Sequence, residues 1–160
     1  MLKRSLYRLY EQRLLREVAR GPMPRHLGLI QDGHRRYARD AGLSNLKGYR
    51  LGAKKAEEVL TWCAQLKIPM VTLWWLSTEN LTREAVDVTA VLDVIENTLP
   101  EWVRGGLTAR LGIRIRPIGK LDLLPDSVLL ALQLAASATS HHERMLLNVA
   151  VGYGERQEII

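Results

Sequence analysis

The stretch MVTLWWLSTEN, residues 70–80, decides the fold. Its first seven residues are apolar but for one Thr, with no regular polar alternation. Such a run reads as a strand buried on both faces, the kind found in parallel sheets. It ends abruptly on Ser77, Thr78, Glu79 and Asn80, a polar cluster placed where a strand would give way to a loop.

Outward from it, the same unit repeats. "LGLIQ" from Leu27 is a short buried strand, and "NLKGYRLGAKKAEEVLTWCAQLK" after it carries Ala56, Val59, Leu60, Cys63 and Leu66 on one helical stripe, with Ser44 as N-cap. Beyond the central strand, Val88, Leu92, Ile95 and Leu99 are in helical phase from Thr82 to Leu99, with Thr82 as the cap. "IRIRPIG" reads as a third strand, and Pro125 and Asp126 open a helix to about Thr139. "MLLNVAVGYG" is a fourth strand, and "ERQEII" begins one more helix. Strands and helices in alternation predict an α/β fold with a mostly parallel sheet flanked by helices. Ligands of such sheets sit beyond the carboxyl ends of the strands. Asp32, then Ser77 and Asn80, then Gly119, and then Gly152 to Gly154 occupy those ends, so one cleft is expected there.

The 160 residues suit one domain, with a basic amphipathic helix over 1–22 and the remainder over 23–160. Leu2, Leu6, Leu9, Tyr10, Leu14 and Val18 recur at helical steps, with six Lys or Arg among the first twenty residues. That helix docks on its own domain or a partner, or lies on an anionic membrane surface. The formal charge of +6 suits an anionic partner and by itself selects none. The single Cys63 excludes an intrachain disulfide and fits a cytoplasmic setting. No apolar run is long enough to span a bilayer. A Rossmann-type nucleotide binder is disfavoured, because no G-x-G-x-x-G follows the first strand.

"LIQDGHRRYA", residues 29–38, places a carboxylate beside two guanidinium groups. Asp32 suits a hard cation. Gly33 allows close approach of the backbone to a ligand, and Arg35 and Arg36 can fork onto phosphate oxygens. Taken alone, the stretch reads more readily as an Asp-Gly turn with solvated arginines.

Three separated stretches together resemble the cis-prenyltransferases of the undecaprenyl diphosphate synthase type. Members read like H-x-A-x-x-x-D-G-N-x-R-W-A, here "HLGLIQDGHRRYA"; like F-S-T-E-N-W-x-R, here "LSTENLTR"; and like N-x-A-x-x-Y-G-G-R-x-E-I, here "NVAVGYGERQEI". The resemblance implies an isoprenyl transferase that condenses isopentenyl diphosphate with an allylic prenyl diphosphate in cis (Z) geometry. It implies Mg2+ as cofactor, no nucleic-acid partner, a homodimer in full-length form and a peripheral membrane contact. Asp32 would hold the magnesium and assist departure of the diphosphate. Gly33, Arg35 and Arg36 would bind that diphosphate, with Tyr37 where the family has Trp. Ser77, Thr78, Glu79 and Asn80 would line the reacting centre, with Asn80 orienting the reacting groups and Arg83 supporting the loop.

The departures are His34 for the family Asn, Asn45 for a basic residue, Tyr49 for His, Lys120 for Asp, Leu81 for Trp and Glu155 for Gly. Losses at Asn45 and Tyr49 thin the phosphate shell, and a protonated His34 would restore part of it. Trp75 stands where long-chain members carry Ala and implies a short, farnesyl-class product. Family segments of the kind D-L-x-I-R-T-S-G-E and R-x-S-N-F-L-L-W-Q are not in these 160 residues. The reading is therefore the N-terminal catalytic portion of a longer enzyme, inactive alone, or else an accessory or split subunit that binds the allylic diphosphate.

Overall fold

The computed structural model describes residues 2–82 and 84–154. The chain opens with α1 (Leu2–Val18), then β1 (Leu27–Ile30), α2 (His34–Asp40), α3 (Asn45–Gln65) and β2 (Met70–Leu76). A 3-10 turn over Glu79–Thr82 leads into α4 (Ala85–Arg104), followed by α5 (Leu107–Leu111), β3 (Ile113–Ile118), a second 3-10 turn, α6 (Asp126–Ala138) and β4 (Met145–Val151). The four strands form one sheet in the order β1-β2-β4-β3, and every pairing is parallel. The parallel α/β reading of the sequence holds.

The helices cover one face of the sheet, and only the central β4 is buried on both faces through most of its length. Val71, Leu73 and Trp75 of β2 are buried, whereas Met70, Thr72 and Trp74 are half-buried. The fully buried expectation for this strand fails because α4 lies between α3 and α6 in one row of helices, which covers a single face of the sheet. β1 departs in the same way: it is an edge strand, and Ile30 is 66% exposed. The core lies between β2, β4 and that row, where Leu60, Leu73, Ile95, Leu99, Leu132 and Leu147 are fully enclosed. The half-buried face carries a polar chain instead. Arg116 Nε donates to Asn148 Oδ1 at 2.9 Å, Asn148 Nδ2 donates to Thr72 Oγ1 at 3.0 Å, and His26 Nε2 lies 2.8 Å from that hydroxyl.

Local chemistry sets the ends of elements. Ser44 caps α3 by accepting from the Lys47 amide at 3.3 Å, as its sequence position predicts. The cap foreseen at Thr82 is not used: that residue lies in the 3-10 turn, and α4 starts after Glu84 without a side-chain cap. α4 also runs through Pro100 to Arg104, beyond the expected end at Leu99. Burial of both Leu99 and Trp102 on one face outweighs the signal of the proline. Pro117 in β3 is tolerated because β3 is an edge strand. The final helix expected over "ERQEII" lies outside the described residues.

Candidate functional site: a polar cleft at the carboxyl ends of the strands

Because all four strands run the same way, their carboxyl ends share one edge of the sheet. Asp32 follows β1, Ser77 to Asn80 follow β2, Gly119 follows β3, and Gly152 to Gly154 follow β4. The loops are tied to one another there. Thr78 Oγ1 donates to the Gly152 carbonyl at 3.1 Å, the Tyr153 amide to Leu76 O at 3.2 Å and the Lys120 amide to Gly152 O at 3.0 Å. Trp74 and Tyr153 meet edge to face, 5.8 Å between centroids. The pairing register of β2 with β4 shifts between Trp74 and Leu76, just before Ser77. A local irregularity of that kind re-aims side chains at the end of a strand.

Gly33 precedes α2 with φ of 83°, a left-handed conformation that suits glycine. Its amide donates to Asp32 Oδ1, and Asp32 Oδ2 is 4.0 Å from Arg36 Nη2. Asp32 is 83% exposed and Arg36 73%, so both stand open to an incoming ligand. Tyr37 is exposed on the same short helix. Arg35 instead pairs with Asp87 at 3.0 Å.

On the loop after β2, the Asn80 amide donates to both Ser77 O and Ser77 Oγ at 3.2 Å, which folds the loop back on the strand end. Ser77, Thr78, Asn80 and Leu81 are half-buried and Glu79 is exposed. Leu81 packs on the hydrophobic core. Arg83 lies outside the described residues.

Two expected site residues face elsewhere. His34 turns its ring into the junction of α2 and α3, edge to face with Tyr49 at 5.7 Å. A Cβ on Gly52 would come within 2.1 Å of His34 Nε2. Burial lowers the His34 pKa from the usual imidazole value, and the opposing pull of Asp32 is the smaller effect. Burial therefore works against the charged form of the ring. Tyr49 also packs against the core. Asn45 stays close to the cleft, with its Nδ2 donating to Asp87 Oδ1 at 2.7 Å. Asp87 is the residue that the sequence reading missed, since an Asp in the first turn of a helix has an ordinary role in offsetting the helix dipole.

Below the cleft, Trp75 and Trp102 stack in the core at 5.7 Å, 7% and 4% exposed. A groove of about 430 Å3 between α3 and α4 reaches Trp102 but not Trp75, and its walls set the charged residues Arg50, Lys54, Glu57 and Glu101 beside Ala53 and Val94.

No group of three or more His, Cys, Asp or Glu is gathered to hold a metal ion among the described residues. Asp32 by itself fits a magnesium ion of the kind that takes one carboxylate and fills its remaining positions with phosphate oxygens and water. Its exposed carboxylate leaves room for such a complex.

The family model described as putative undecaprenyl diphosphate synthase matches residues 30–160. An isoprenyl transferase of Thermus thermophilus is 45% identical over 159 residues, covering 99% of this chain and 60% of that protein. The (2Z,6E)-farnesyl diphosphate synthase of Thermobifida fusca is also 45% identical, over 99% of this chain and 61% of its own length. Among solved structures, lavandulyl diphosphate synthase from Lavandula x intermedia, in complex with dimethylallyl diphosphate, superimposes with a TM-score of 0.81 at 29% identity, over 85% of this chain and 58% of that one. The chain thus spans about three-fifths of the length of the relatives it matches.

Proposed function

The chain belongs to the undecaprenyl diphosphate synthase family, and on that premise we propose that its cleft binds an allylic prenyl diphosphate for condensation with isopentenyl diphosphate in cis (Z) geometry. The observation that carries this reading is the open Asp32–Arg36 turn facing the Ser77–Asn80 loop across one edge of a parallel sheet. Asp32 holds the magnesium of the diphosphate, and Arg36 takes phosphate oxygens. A magnesium held by Asp32 would supply charge neutralisation for the departing diphosphate. Ser77 and Asn80 orient the second substrate at the mouth of the cleft. Asn80 does so as a hydrogen-bonding amide, since an amide is a poor base. The half-buried setting of that loop limits access of water to the reacting carbons.

The product is short, of the farnesyl class. What supports this is Trp75, a bulky indole two residues before Ser77 that stacks on Trp102 in the core. A homodimer is part of the same proposal, on the strength of the family likeness. So is a peripheral contact with an anionic membrane through α1, where Leu6, Leu9, Tyr10, Leu14 and Val18 are exposed amid basic residues. No helix among the described residues is long and apolar enough to cross a membrane.

The test is incubation of a form extended to the length of its relatives with magnesium, geranyl diphosphate and labelled isopentenyl diphosphate, with products separated against Z and E standards; the 160-residue chain alone should transfer nothing measurable. A Z product of farnesyl length is expected. An E product, or a chain of undecaprenyl length, overturns the proposal.

A further inference from the structure

Asp87 stands in the first turn of α4, immediately beyond the loop that carries Ser77 and Asn80. Its side chain is only 12% exposed, and both of its oxygens are occupied. Oδ2 accepts from Arg35 Nη1 at 3.0 Å and Oδ1 accepts from Asn45 Nδ2 at 2.7 Å. One carboxylate thus joins three segments: the turn after β1, the start of α3 and the start of α4.

The two arginines of the turn are held differently. Arg36 faces Asp32 at 4.0 Å, and both side chains are largely exposed. A pair of that kind is weak and readily exchanged for another anion. Arg35 faces a carboxylate that is closer, screened from water and fixed by a second donor. One nitrogen of its guanidinium is engaged by that carboxylate, although the Arg35 side chain itself is 48% exposed.

We infer that Asp87 is a positioning residue of the diphosphate site: it withholds Arg35 from the ligand and leaves Arg36 as the working cation of the turn. The inference rests on the diphosphate reading given above. An arriving diphosphate either does without Arg35 or takes it from Asp87, which then keeps only Asn45 and loosens the hold of α4 on the turn. Either way Asp87 lowers the affinity of the site for the ground-state ligand. Such a restraint has a use, since tight binding of substrate and transition state alike does not raise turnover.

The experiment is calorimetric titration of the chain with inorganic pyrophosphate in the presence of magnesium. The forms compared are the unaltered chain, Asp87→Asn, Asp87→Glu, Arg35→Ala, and Asp87→Asn combined with Arg35→Ala. Asp87→Asn keeps an acceptor for Asn45 and releases Arg35, so it should bind about fivefold tighter. Asp87→Glu restores the carboxylate and should return the affinity toward that of the unaltered chain. The gain should vanish when Arg35→Ala is added, because a purely structural role for Asp87 would not depend on that arginine. Arg36→Ala, which leaves the α4 contact intact, should bind about tenfold more weakly. Unchanged or weaker binding by Asp87→Asn overturns the inference and leaves the diphosphate site standing. So does a gain that persists without Arg35, or an Arg36→Ala form that binds as before. Failure of every form to bind pyrophosphate overturns the inference and the diphosphate reading together.

Discussion

The indole of Trp75 lies flat against that of Trp102, with centroids 5.7 Å apart and planes within 18°. The contact joins β2 to α4 two residues before Ser77. It serves the core and, on the short-product proposal, also limits the room for a prenyl tail.

Truncating either partner should show both effects. Trp75→Ala should cost about 3–5 kcal/mol of stability, as large-to-small changes in a core do. Trp75→Leu should cost less and keep the fold. In both, affinity measured across dimethylallyl, geranyl and farnesyl diphosphates should shift toward the longer tails. Urea unfolding and calorimetry read the two quantities separately. An unchanged tail preference in a folded variant would show that the prenyl tail runs elsewhere.

His34 makes the chain sensitive to acid. Its folded pKa is lowered by burial, so the unfolded chain binds the proton more readily. Stability is then full above about 6.5, the unfolded value, and falls as the pH drops from there toward the folded pKa. Thermal unfolding followed between about pH 7.5 and 5.5 should show a smaller acid-side loss in His34→Asn than in the unaltered chain. Titration of the ring by NMR should give a value below that of free imidazole.

Gly52 is fixed by close approach rather than by backbone strain. An added Cβ would sit 2.1 Å from His34 Nε2 and within 2.7 Å of two ring carbons. Gly52→Ala should displace the ring and part α2 from α3. A stability loss of about 1–3 kcal/mol is expected by calorimetry, with weaker pyrophosphate binding because the Asp32–Arg36 turn moves with α2.

The polar chain on the half-buried face of the sheet depends on its middle member. Asn148 is 4% exposed and bonds both Arg116 and Thr72. Asn148→Ala should cost about 1–3 kcal/mol by removing the buried amide that links the two, with Thr72 keeping His26 as a partner. Asn148→Asp keeps the acceptor for Arg116 but loses the donor to Thr72, and in denaturant unfolding it should fall between the two.

Much of the fold was legible because strand and helix periods differ and because the strand ends carry the polar residues. Ser44 as a cap, β4 from Met145 and the gathering of Asp32, Ser77 and Gly152 at one edge follow from local pattern. What was not legible was lateral. That one face of the sheet lacks the helix row depends on how α3, α4 and α6 assemble, which no window of sequence records. The inward turn of His34 depends on the space left by Gly52, eighteen positions away. The role of Asp87 depends on Arg35 and Asn45, which reach it across more than forty residues. A residue joined to its partners across distant segments, as Asp87 is, leaves no motif to read.

The most direct test of the account concerns Asp32 and magnesium. Geranyl diphosphate is titrated calorimetrically into the chain with and without magnesium, in the unaltered form and in Asp32→Ala, with adenosine diphosphate as control. Magnesium should strengthen binding to the unaltered chain by about tenfold or more, as expected when a carboxylate and a diphosphate share the ion. Asp32→Ala should still bind through Arg36 but gain nothing from the metal, and the nucleotide should bind neither form well. A magnesium effect that survives in Asp32→Ala, or equal binding of adenosine diphosphate, would contradict the account.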